Sequence, residues 1–387
     1  MIAKILIPII LAIVLPDLYM DQHHGRRLFR HTWWRRLLWW LPGLLMLAYT
    51  LVLASIRNFV PDDLTGINID MFLVGLIIVP KAIYALCSAL GLAWCRLRHT
   101  RRNWGNLVAL VLIALTWFML LYGSTIGVSK LVVKRTDIYF DDLPPQFEGY
   151  RIVQFSDAHV GSFTGGNARL LARDIDSINA QHPDLIAFTG DLQNIRPIEI
   201  RPVQHLLARL KARDGVVSVL GNHDYSEYVY EAPATEAAYR HETIARQRQM
   251  GWRLLLNQHT VIRRGHDSLV VAGEQNLERP DSANFQKTMT GVATGAFVVL
   301  LQHNPKAWDK YIKPSRRVQL TLSGHVHGGQ VALFGLRPTL LSYRQDYGLY
   351  EEDGMVLNVS GGIGGLIPFR FGVPPEINVI ILHQSLK

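Results

Sequence analysis

The sequence YRIVQFSDAHVG, residues 150–161, joins an apolar run to an aspartate and a histidine that are two positions apart. A short apolar run rich in β-branched and aromatic residues predicts a buried strand. Residues i and i+2 of an extended chain point to the same side, so Asp157 and His159 can address one metal centre. One such pair is a weak signal by itself, because isolated histidines have many other uses. More ligand-type residues in the same structural setting would make it a site.

Four later apolar runs of the sequence end in the same chemistry. PDLIAF leads to Asp191, GVVSVL to Asn222, His223 and Asp224, AFVVLL to His303, and RVQLTL to His325 and His327. In open α/β sheets, active sites lie outside the carboxyl ends of the strands, so these five ends can converge on one point. Ligands that are all oxygen and nitrogen suit Mn²⁺, Fe or Zn²⁺. Seven candidate ligands are too many for one ion and fit two ions that share a carboxylate; they are Asp157, His159, Asp191, Asn222, His303, His325 and His327.

The rest of this half predicts an α/β domain over residues 150–387. Further apolar runs are SLVVA, GMVLNV and EINVIIL, and segments with helical spacing, such as NARLLARDIDSINAQH at 167–182, separate the early runs. Buried strands that alternate with helices indicate this class of fold. Residues 127–149 contain a Pro-Pro pair near their end and predict a linker or leader strand. Residues 227–251 predict a helix-rich insert that either caps the site or packs on the sheet.

The first 126 residues predict a transmembrane region of four helices. Four apolar stretches, at 2–20, 37–55, 71–94 and 107–126, have about the length that crosses a bilayer. The third stretch contains Lys81, to which the sequence assigns no function, and also Cys87 and Cys95. These are the two cysteines of the chain, so the domain that follows has no thiolate metal site.

Charged connectors set the expected orientation of these helices. DQHHGRRLFRHTWWRR carries five arginines and RLRHTRR carries four, whereas the loop between them in sequence, RNFVPDDLTGINID, has one arginine and three aspartates. The positive-inside rule places the arginine-rich loops in the cytoplasm. We therefore expect a multi-pass protein of the inner membrane with an extracytoplasmic C-terminal domain. Much of the net charge of +9 lies in these connectors, so no nucleic-acid partner is expected and a nuclease is disfavoured.

Read in chain order, the segments SDAHVG, TGDLQN, GNHDY, LQHNP and SGHVHGGQ resemble the calcineurin-like metallophosphoesterase superfamily. The resemblance spans about residue 150 to the end of the chain. GHVHGGQ and the tail PFRFGVPPEINVIIL resemble its membrane-anchored bacterial branch, to which UDP-2,3-diacylglucosamine hydrolases are related. This resemblance implies a four-layer αββα sandwich with two mixed sheets.

The same resemblance implies a role for each matching residue. The first metal would be held by Asp157, His159 and His327, the second by Asn222, His303 and His325, and Asp191 would bridge both. A hydroxide bridging the two metals would attack phosphorus in line. His223 would either donate a proton to the leaving oxygen, with Asp224 orienting and charging its ring, or only position its neighbours around the metals. Asn194 departs from the superfamily pattern, which often has an aspartate at this position.

The implied function is a membrane-anchored, two-metal phosphoesterase. Its expected substrate is a phosphodiester or pyrophosphate that is lipid-linked or belongs to the envelope, with membrane lipid as a partner. Mn²⁺ is the expected metal, with Fe or Zn²⁺ as alternatives. Two other interpretations stay open: a catalytically weak metal-binding sensor or scaffold, and a UDP-diacylglucosamine-type pyrophosphatase if the domain is cytoplasmic.

Two features of the tail are less specific. Arg370 in PFRFG either contacts a substrate phosphate, since arginine pairs with phosphate in a bidentate manner, or is a surface or structural arginine. GGIGG at 361–365 follows an apolar run but lacks the Lys-Ser/Thr of a P-loop, so it predicts a turn near the site.

Overall fold

The computed structural model describes residues 3–25, 32–56, 64–163, 167–229, 231–278 and 282–385. The chain divides into two compact units, Met1–Ser124 and Thr125–Lys387, which are called here the N-terminal and C-terminal units. The two units are built on different principles. The first is a set of long apolar helices, and the second is a pair of β-sheets with helices outside them.

The helices of the N-terminal unit are α1 Ala3–Met20, α2 Trp33–Ser55, α3 Thr65–Leu73, α4 Val79–Arg98 and α5 Gly105–Tyr122. A π-helical turn at Val74–Ile78 joins α3 to α4, so the two form one continuous span. Four segments are long and apolar enough to cross a membrane: Leu6–His23, Trp33–Ser55, Thr65–Arg98 and Gly105–Gly127. The four predicted spans are thereby confirmed.

The third span is longer than the sequence predicted, because the helix begins before Asp70, the polar residue that the prediction left outside it. The prediction began at residue 71, after Asp70, whereas the helical span begins at Thr65. Asp70 is buried inside the unit, where the Thr50 hydroxyl donates to its carboxylate at 3.2 Å. A carboxylate with a partner on a neighbouring helix does not end the helix.

Lys81, which the sequence left without a function, is paired inside the N-terminal unit. Its Nζ lies 2.7 Å from Oδ1 of Asp17 on α1. Gly43 on α2 makes room for this carboxylate, since a Cβ there would lie 2.0 Å from Asp17 Oδ2. An unpaired charge at the centre of a bilayer costs about 2.5–3.5 kcal/mol on insertion scales, so the pair removes a large penalty. The contact ties α1, α2 and α4 to one another.

The described part of the C-terminal unit contains twelve strands. They are β1 Val132–Phe140, β2 Tyr150–Phe155, β3 Leu185–Phe188, β4 Val216–Ser218, β5 Arg253–Leu254, β6 Gln258–Arg264, β7 Asp267–Gly273, β8 Val298–Leu301, β9 Leu320–Ser323, β10 Gly348–Glu352, β11 Met355–Val359 and β12 Glu376–Gln384. One sheet has the order β1-β12-β2-β3-β4-β5 and the other β10-β11-β9-β8-β7-β6. Both sheets combine parallel and antiparallel pairs. The antiparallel pairs are β12 with β2 in the first sheet and, at the two edges of the second, β10 with β11 and β6 with β7. The prediction of two mixed sheets is confirmed.

Alternate residues of the central strands face different layers. Ile152 of β2 belongs to the core between the two sheets, together with Leu320 of the other sheet. Its neighbour Val153 belongs to the core beneath the helix α6, Ala168–Asn179, which buries Leu171 and Ile175 there. Strands covered on both faces read as continuous apolar runs, which explains the sequence pattern.

Further helices of this unit are α7 Gln204–Leu207, α8 Pro233–Gln249, α9 Phe285–Thr288 and α10 Lys313–Ser315. A third core holds Trp308 and Ile312, just before α10, against Val298 on the outer face of the second sheet. Helix, sheet, sheet and helix therefore form four layers, as expected. The insert predicted at 227–251 contains α8, whose buried Thr243 and Gln247 bond to Gln193 and Ser218, so this helix packs beside the first sheet.

The segment before residue 150 contributes to the first sheet. β1 runs parallel to β12 over nine paired positions, from Val132 with Glu376 to Phe140 with Gln384. Ile138 and Phe140 are buried in the core between the sheets. This edge strand follows directly on the fourth span, so the sheet begins within a few residues of it.

The ion pair between Asp17 and Lys81 makes a prediction about stability. Replacing Lys81 with Met should destabilise the N-terminal unit by about 3 kcal/mol, because it leaves a buried carboxylate without a partner. The double variant Asp17→Leu/Lys81→Met should recover most of this loss. Thermal unfolding of the full chain in nanodiscs, followed by tryptophan fluorescence, measures it. Equal unfolding temperatures for the single variant and the wild type would contradict the assigned pairing.

Candidate metal centre

The loops that follow five strands converge at one edge of the two sheets. Asp157 and His159 follow β2, Asp191 follows β3, Asn222 follows β4, His303 follows β8, and His325 and His327 follow β9. Two groups of their ligand atoms can each hold a metal ion: Asp157 with His159 and His327, and Asp191 with His303 and His325; a third such group joins His159 and Asp191 to His223. Within each group the ligand atoms lie within 4.8 Å of one another. All seven predicted ligands are therefore brought together.

The carboxylate of Asp191 belongs to the second group and also faces the first. Its Oδ2 is 3.2 Å from Nε2 of His303 and 3.7 Å from Nε2 of His159. Its Oδ1 accepts the backbone N–H of His223 at 2.9 Å. One buried carboxylate thus faces imidazoles of both groups, which is the arrangement required of a ligand shared by two ions.

Asn222 completes the second group with an amide oxygen. Its Oδ1 lies 2.8 Å from Nδ1 of His325 and 3.1 Å from Nε2 of His303. Its Nδ2 donates to the hydroxyl of Tyr228 at 2.8 Å, which directs the oxygen toward the two histidines. An amide oxygen with two imidazoles and a carboxylate is a donor set that Mn²⁺, Fe and Zn²⁺ accept.

The backbone at this edge is held in an uncommon conformation. Five of the predicted ligands have positive φ: Asp157 (49°), His159 (43°), Asp191 (60°), His325 (74°) and His327 (54°). Positive φ is unfavourable for residues with a Cβ and is concentrated at functional sites. Backbone hydrogen bonds between loops maintain it, such as Asp157 N–H to the Gly190 carbonyl at 2.9 Å.

Two glycine segments allow the loops to approach so closely. A Cβ on Gly324 would lie 1.9 Å from Ser156 Oγ and 2.2 Å from Asp157 Oδ2, so only glycine fits before His325. The GGIGG segment lies on the other side of the same loop, where Gly364 N–H donates to the Asp157 carbonyl at 3.0 Å. The predicted turn at 361–365 therefore supports the ligand loop after β2.

Several ligand atoms are buried without a protein partner. Both ring nitrogens of His159 and Nδ1 of His327 accept or donate no hydrogen bond within the described residues. A buried polar group left unpaired costs about 1–3 kcal/mol. Metal ions are partners that this donor set fits, since neutral imidazole nitrogens and carboxylates are their usual ligands.

Burial and neighbouring charges give the ligands different protonation states. Burial lowers the pKa of His159 and of His325 to about 3, so both rings are neutral and offer lone pairs. Burial raises the pKa of Asp157 to about 7. Burial also acts to lower the pKa of His303, but the carboxylates of Asp191 and Asp157 outweigh it and raise that pKa to about 9. Without metal, Asp157 and His303 therefore bind protons, which a bound cation would replace.

His223 lies at the border of the centre. Its ring is half-buried, with its centroid 4.8 Å from that of His159, and Nδ1 is hydrogen-bonded to the backbone carbonyl of Asn194. This contact makes Nδ1 the protonated donor and leaves Nε2 for another partner. The residue that departs from the superfamily pattern thus orients the ring through its main chain.

Within the described residues no hydrogen bond joins Asp224 to the ring of His223, and the role expected of Asp224 stays a prediction. The Asp224 carboxylate instead accepts backbone N–H groups of Gly221, Asp191 and Leu192 at 2.9, 3.0 and 2.9 Å. Backbone donors are numerous where two loops with positive φ meet, and a buried carboxylate satisfies them better than one ring nitrogen does. Asp224 therefore joins the loops after β3 and β4.

Arg370 is buried rather than on the surface, with 2% of its area exposed. Its Nη2 donates to the carbonyls of Gly362 and Gly364, while Nη1 has no partner within the described residues. The side chain therefore supports the glycine segment beneath Asp157. Its guanidinium also adds positive charge near His159 and His327, where it contributes to the lowered pKa of each.

Tyr343 was missed by the sequence analysis. Its hydroxyl lies 2.9 Å from Nε2 of His325, the ring nitrogen opposite the one that faces Asn222. The ammonium of Lys306 lies 4.7 Å from the centroid of the Tyr343 ring. Tyr343 stands in an irregular segment without a motif, so no pattern in the sequence connects it to the centre.

Two family models match the chain. One, described as "Probable Calcineurin-like phosphoesterase, transmembrane domain", matches residues 3–128. The other, "Calcineurin-like phosphoesterase", matches residues 150–329.

Curated proteins similar to this chain come from distant organisms. The chain is 31% identical over 259 residues to the uncharacterized metallophosphoesterase YkuE of Bacillus subtilis, which covers 63% of this chain and 82% of that protein. It is 28% identical over 287 residues to a transmembrane protein with metallophosphoesterase domain of Danio rerio, covering 70% of this chain and 62% of that protein. An uncharacterized metallophosphoesterase of Aquifex aeolicus is 28% identical over 259 residues, covering 65% and 92%.

Carboxylate, amide and imidazole ligands at the strand ends of a two-sheet sandwich, together with these similarities, define a metal-dependent phosphoesterase. The chain belongs to the calcineurin-like phosphoesterase family and carries that family's transmembrane domain at its N-terminal end. It is therefore a multi-pass membrane protein. The family resemblance drawn from the five sequence segments is confirmed.

The protonation states of the empty ligands predict how metal binding depends on pH. Below its pKa of about 9, His303 holds a proton, and Asp157 does so below about 7. A cation must displace these protons, so the apparent affinity for Mn²⁺ should rise from pH 6 to pH 8, about tenfold per pH unit for each proton released. Calorimetric titration of chelator-treated full-length protein, in two buffers of different ionisation enthalpy, measures the affinity for Mn²⁺ and the number of protons released.

The matched control for this experiment is His383→Gln. His383 also has a raised pKa, caused by Glu148 and Asp137, but it lies at the end of β12, far along the chain from the ligand loops. Its replacement should leave the pH dependence of metal binding unchanged. An affinity for Mn²⁺ that is equal at pH 6 and pH 8 would show that the site holds no displaceable proton.

Proposed function

We propose that this protein hydrolyses a phosphoester with two divalent cations, and that a lipid-linked or envelope phosphodiester or pyrophosphate is its substrate. The observation that carries the proposal is that the Asp191 carboxylate, a member of the second ligand group, also faces His159 of the first. In this scheme Asp157, His159 and His327 hold one ion, Asn222, His303 and His325 hold the other, and Asp191 is shared.

When bound, two ions held by these ligands would supply an activated water for attack on phosphorus and positive charge for the phosphoryl oxygens. The protein's own contribution is to hold its ligands in place. Positive φ at the ligand positions and the N–H groups gathered by Asp224 restrict the loops before any ion binds. Sites that need no rearrangement stabilise a transition state most effectively. Mn²⁺ is the proposed metal because the donors are carboxylate, amide and imidazole.

His223 is the proposed general acid. Its Nδ1–H is held by the Asn194 carbonyl, so the protonated ring presents Nε2–H toward the side of the centre where His159 lies. A proton given from Nε2 to the leaving oxygen converts a poor alkoxide leaving group into an alcohol. Arg370 is proposed to contribute through charge and through the glycine segment that it supports.

The four spans support the lipid-linked or envelope class of substrate, because they keep the hydrolase at a membrane. The distribution of arginines in the connectors supports an extracytoplasmic position of the C-terminal unit in the inner membrane. A free soluble metabolite would require no such attachment.

The first test compares a ligand variant with a control variant outside the ligand loops, on synthetic phosphodiesters with Mn²⁺. Asp191→Asn should lower kcat by about 10²-fold or more, since it removes the charge that both ions share. The buried carboxylate of Asp174 on α6, which pairs with Arg173, provides the matched control Asp174→Asn, and this variant should retain turnover. Equal turnover by wild type and Asp191→Asn would refute the two-metal mechanism.

The second test separates a general acid from a residue that only orders the loop. His223→Asn should reduce hydrolysis of an alkyl ester by about 10²–10⁴-fold. It should reduce hydrolysis of a p-nitrophenyl ester much less, because p-nitrophenolate leaves without a proton. Metal content, measured by elemental analysis, should stay at the wild-type value. The same loss for both leaving groups would assign His223 a structural role instead.

The third test is a C-terminal reporter fusion in a bacterial host. Alkaline phosphatase fused after residue 387 should be active, and green fluorescent protein at the same position should be dark, because the C-terminal unit is proposed to lie outside the cytoplasm. The opposite result would place it in the cytoplasm and favour hydrolysis of a UDP-linked lipid precursor.

A further inference from the structure

Seven large apolar side chains of the C-terminal unit are exposed together next to the ligand loops. We call this set the apolar lip; it consists of Leu333, Phe334, Leu336, Leu340, Leu341, Leu366 and Ile367. Phe334 is 103% exposed, Leu341 94% and Leu336 71%. Isolated exposed apolar residues are ordinary, but a contiguous exposed group marks an interaction surface.

The tip of the lip is a tight hairpin that projects an aromatic ring. Leu333 and Leu336 exchange backbone hydrogen bonds at 3.0 and 2.9 Å. Between them Phe334 and Gly335 both have positive φ, 52° and 81°. Glycine or asparagine is usual at the first of these positions in such a turn. Here the backbone adopts an unfavourable conformation at a residue whose ring is fully exposed, which is unexpected for a surface facing only water.

The two segments of the lip form one surface that is joined to the metal centre. Gln330 Nε2 donates to the carbonyls of Ile367 and Phe369 at 3.1 and 2.8 Å, and Ala332 N–H donates to the Phe371 carbonyl at 2.7 Å. Gln330 follows His327 by three residues, in the same short helical turn. Any surface that the lip contacts is therefore close to the ligand loops.

The lip is almost free of charge. Arg337 is the charged residue within 333–341, and its guanidinium pairs with the carboxylate of Asp346 at 2.6 and 2.9 Å. The segment Leu366 to Phe369 reads LIPF and has none. A surface with this composition resembles the apolar face of an interfacial membrane segment more than the polar rim of a protein interface.

Chain connectivity indicates what the apolar lip contacts. A cleft beside the lip is lined by Gln330, Ile367, Phe369 and Val128, among others. Val128 follows Gly127, the last residue of the fourth candidate span. Consecutive Cα atoms are about 3.8 Å apart, so one wall of the cleft lies at the membrane boundary. Lys130, exposed two residues further on, has the character of an interfacial anchor.

We propose that the apolar lip is a membrane-contact surface, which inserts into the interfacial layer of the bilayer in which the same chain is embedded. Phe334 and Leu341 enter the layer furthest, and the cleft beside Val128 opens onto it. A consequence, which rests on the proposed function, is that a lipid phosphoester can reach the metal centre without leaving the bilayer. The membrane contact itself does not depend on catalysis.

The test is the depth of a nitroxide spin label at position 334 of the full chain. Phe334→Cys is made in a Cys87→Ser/Cys95→Ser background, labelled and placed in nanodiscs of zwitterionic and anionic phospholipid. The matched control is a label at Val261, an exposed apolar position on β6 outside the lip. Power saturation then compares collisions with oxygen, which enriches in the bilayer, and with a water-soluble nickel chelate. We expect the ratio of oxygen to nickel collisions to be several-fold higher at 334 than at 261.

Two results would overturn the proposal. Equal ratios at 334 and 261 would place the lip in water. Protection of position 334 from both reagents, with an immobilised spectrum, would assign the lip to a protein partner or a second copy of the chain. A label at Leu341 repeats the measurement if the Phe334→Cys protein does not fold. Because no turnover enters the measurement, its failure is distinguishable from failure of the proposed hydrolysis.

Discussion

The central constraint in this molecule is the crowding of ligand-type side chains into one dry edge of two sheets. Asp191 faces His303 at 3.2 Å and His159 at 3.7 Å, and Asp157 lies 3.3 Å from His327. Burial first, and then the charge of Asp191, raise the pKa of Asp157 to about 7, so in the absence of a cation this carboxyl takes up a proton near neutral pH. Divalent ions relieve the repulsion between these buried carboxylates more completely, so the same arrangement that destabilises the empty site stabilises the loaded one.

Such an arrangement requires a backbone that does not relax. Positive φ at Asp157, His159 and Asp191 is unfavourable. It persists because favourable contacts around these residues outweigh its cost in free energy. Asp224 gathers N–H groups from two loops, and Gly324 leaves space that no side chain could share. Both sheets are covered on their outer faces, so the strand ends cannot shift to relieve the strain. The sandwich is thus rigid, and the loops attached to its strand ends hold the ligand side chains in fixed positions.

The sequence predicted those parts of the structure that leave a recurring pattern along the chain. Apolar runs buried on both faces identified the strands, and the polar residues after them identified the site, because parallel strands end at a common edge. Contacts made by the main chain left no such pattern: Asp224 bonds to backbone N–H groups, and the Asn194 carbonyl orients His223. Tyr343 was missed because its contact with His325 spans 18 residues of irregular chain. Arg370 was ambiguous since burial, which decides its role, depends on the packing of the glycine segment.

The N-terminal unit has more specific contacts between its helices than attachment to a membrane requires. One apolar helix would hold the chain in a bilayer, whereas this unit buries Asp17 against Lys81 and fits both beside Gly43. Polar pairs in hydrocarbon add specificity because any other register leaves a charge unpaired. The helices therefore have a defined arrangement, and the last of them leads to β1 within a few residues. Since β1 pairs with β12 in the first sheet, a short connection rather than a long linker joins the last span to that sheet along the chain.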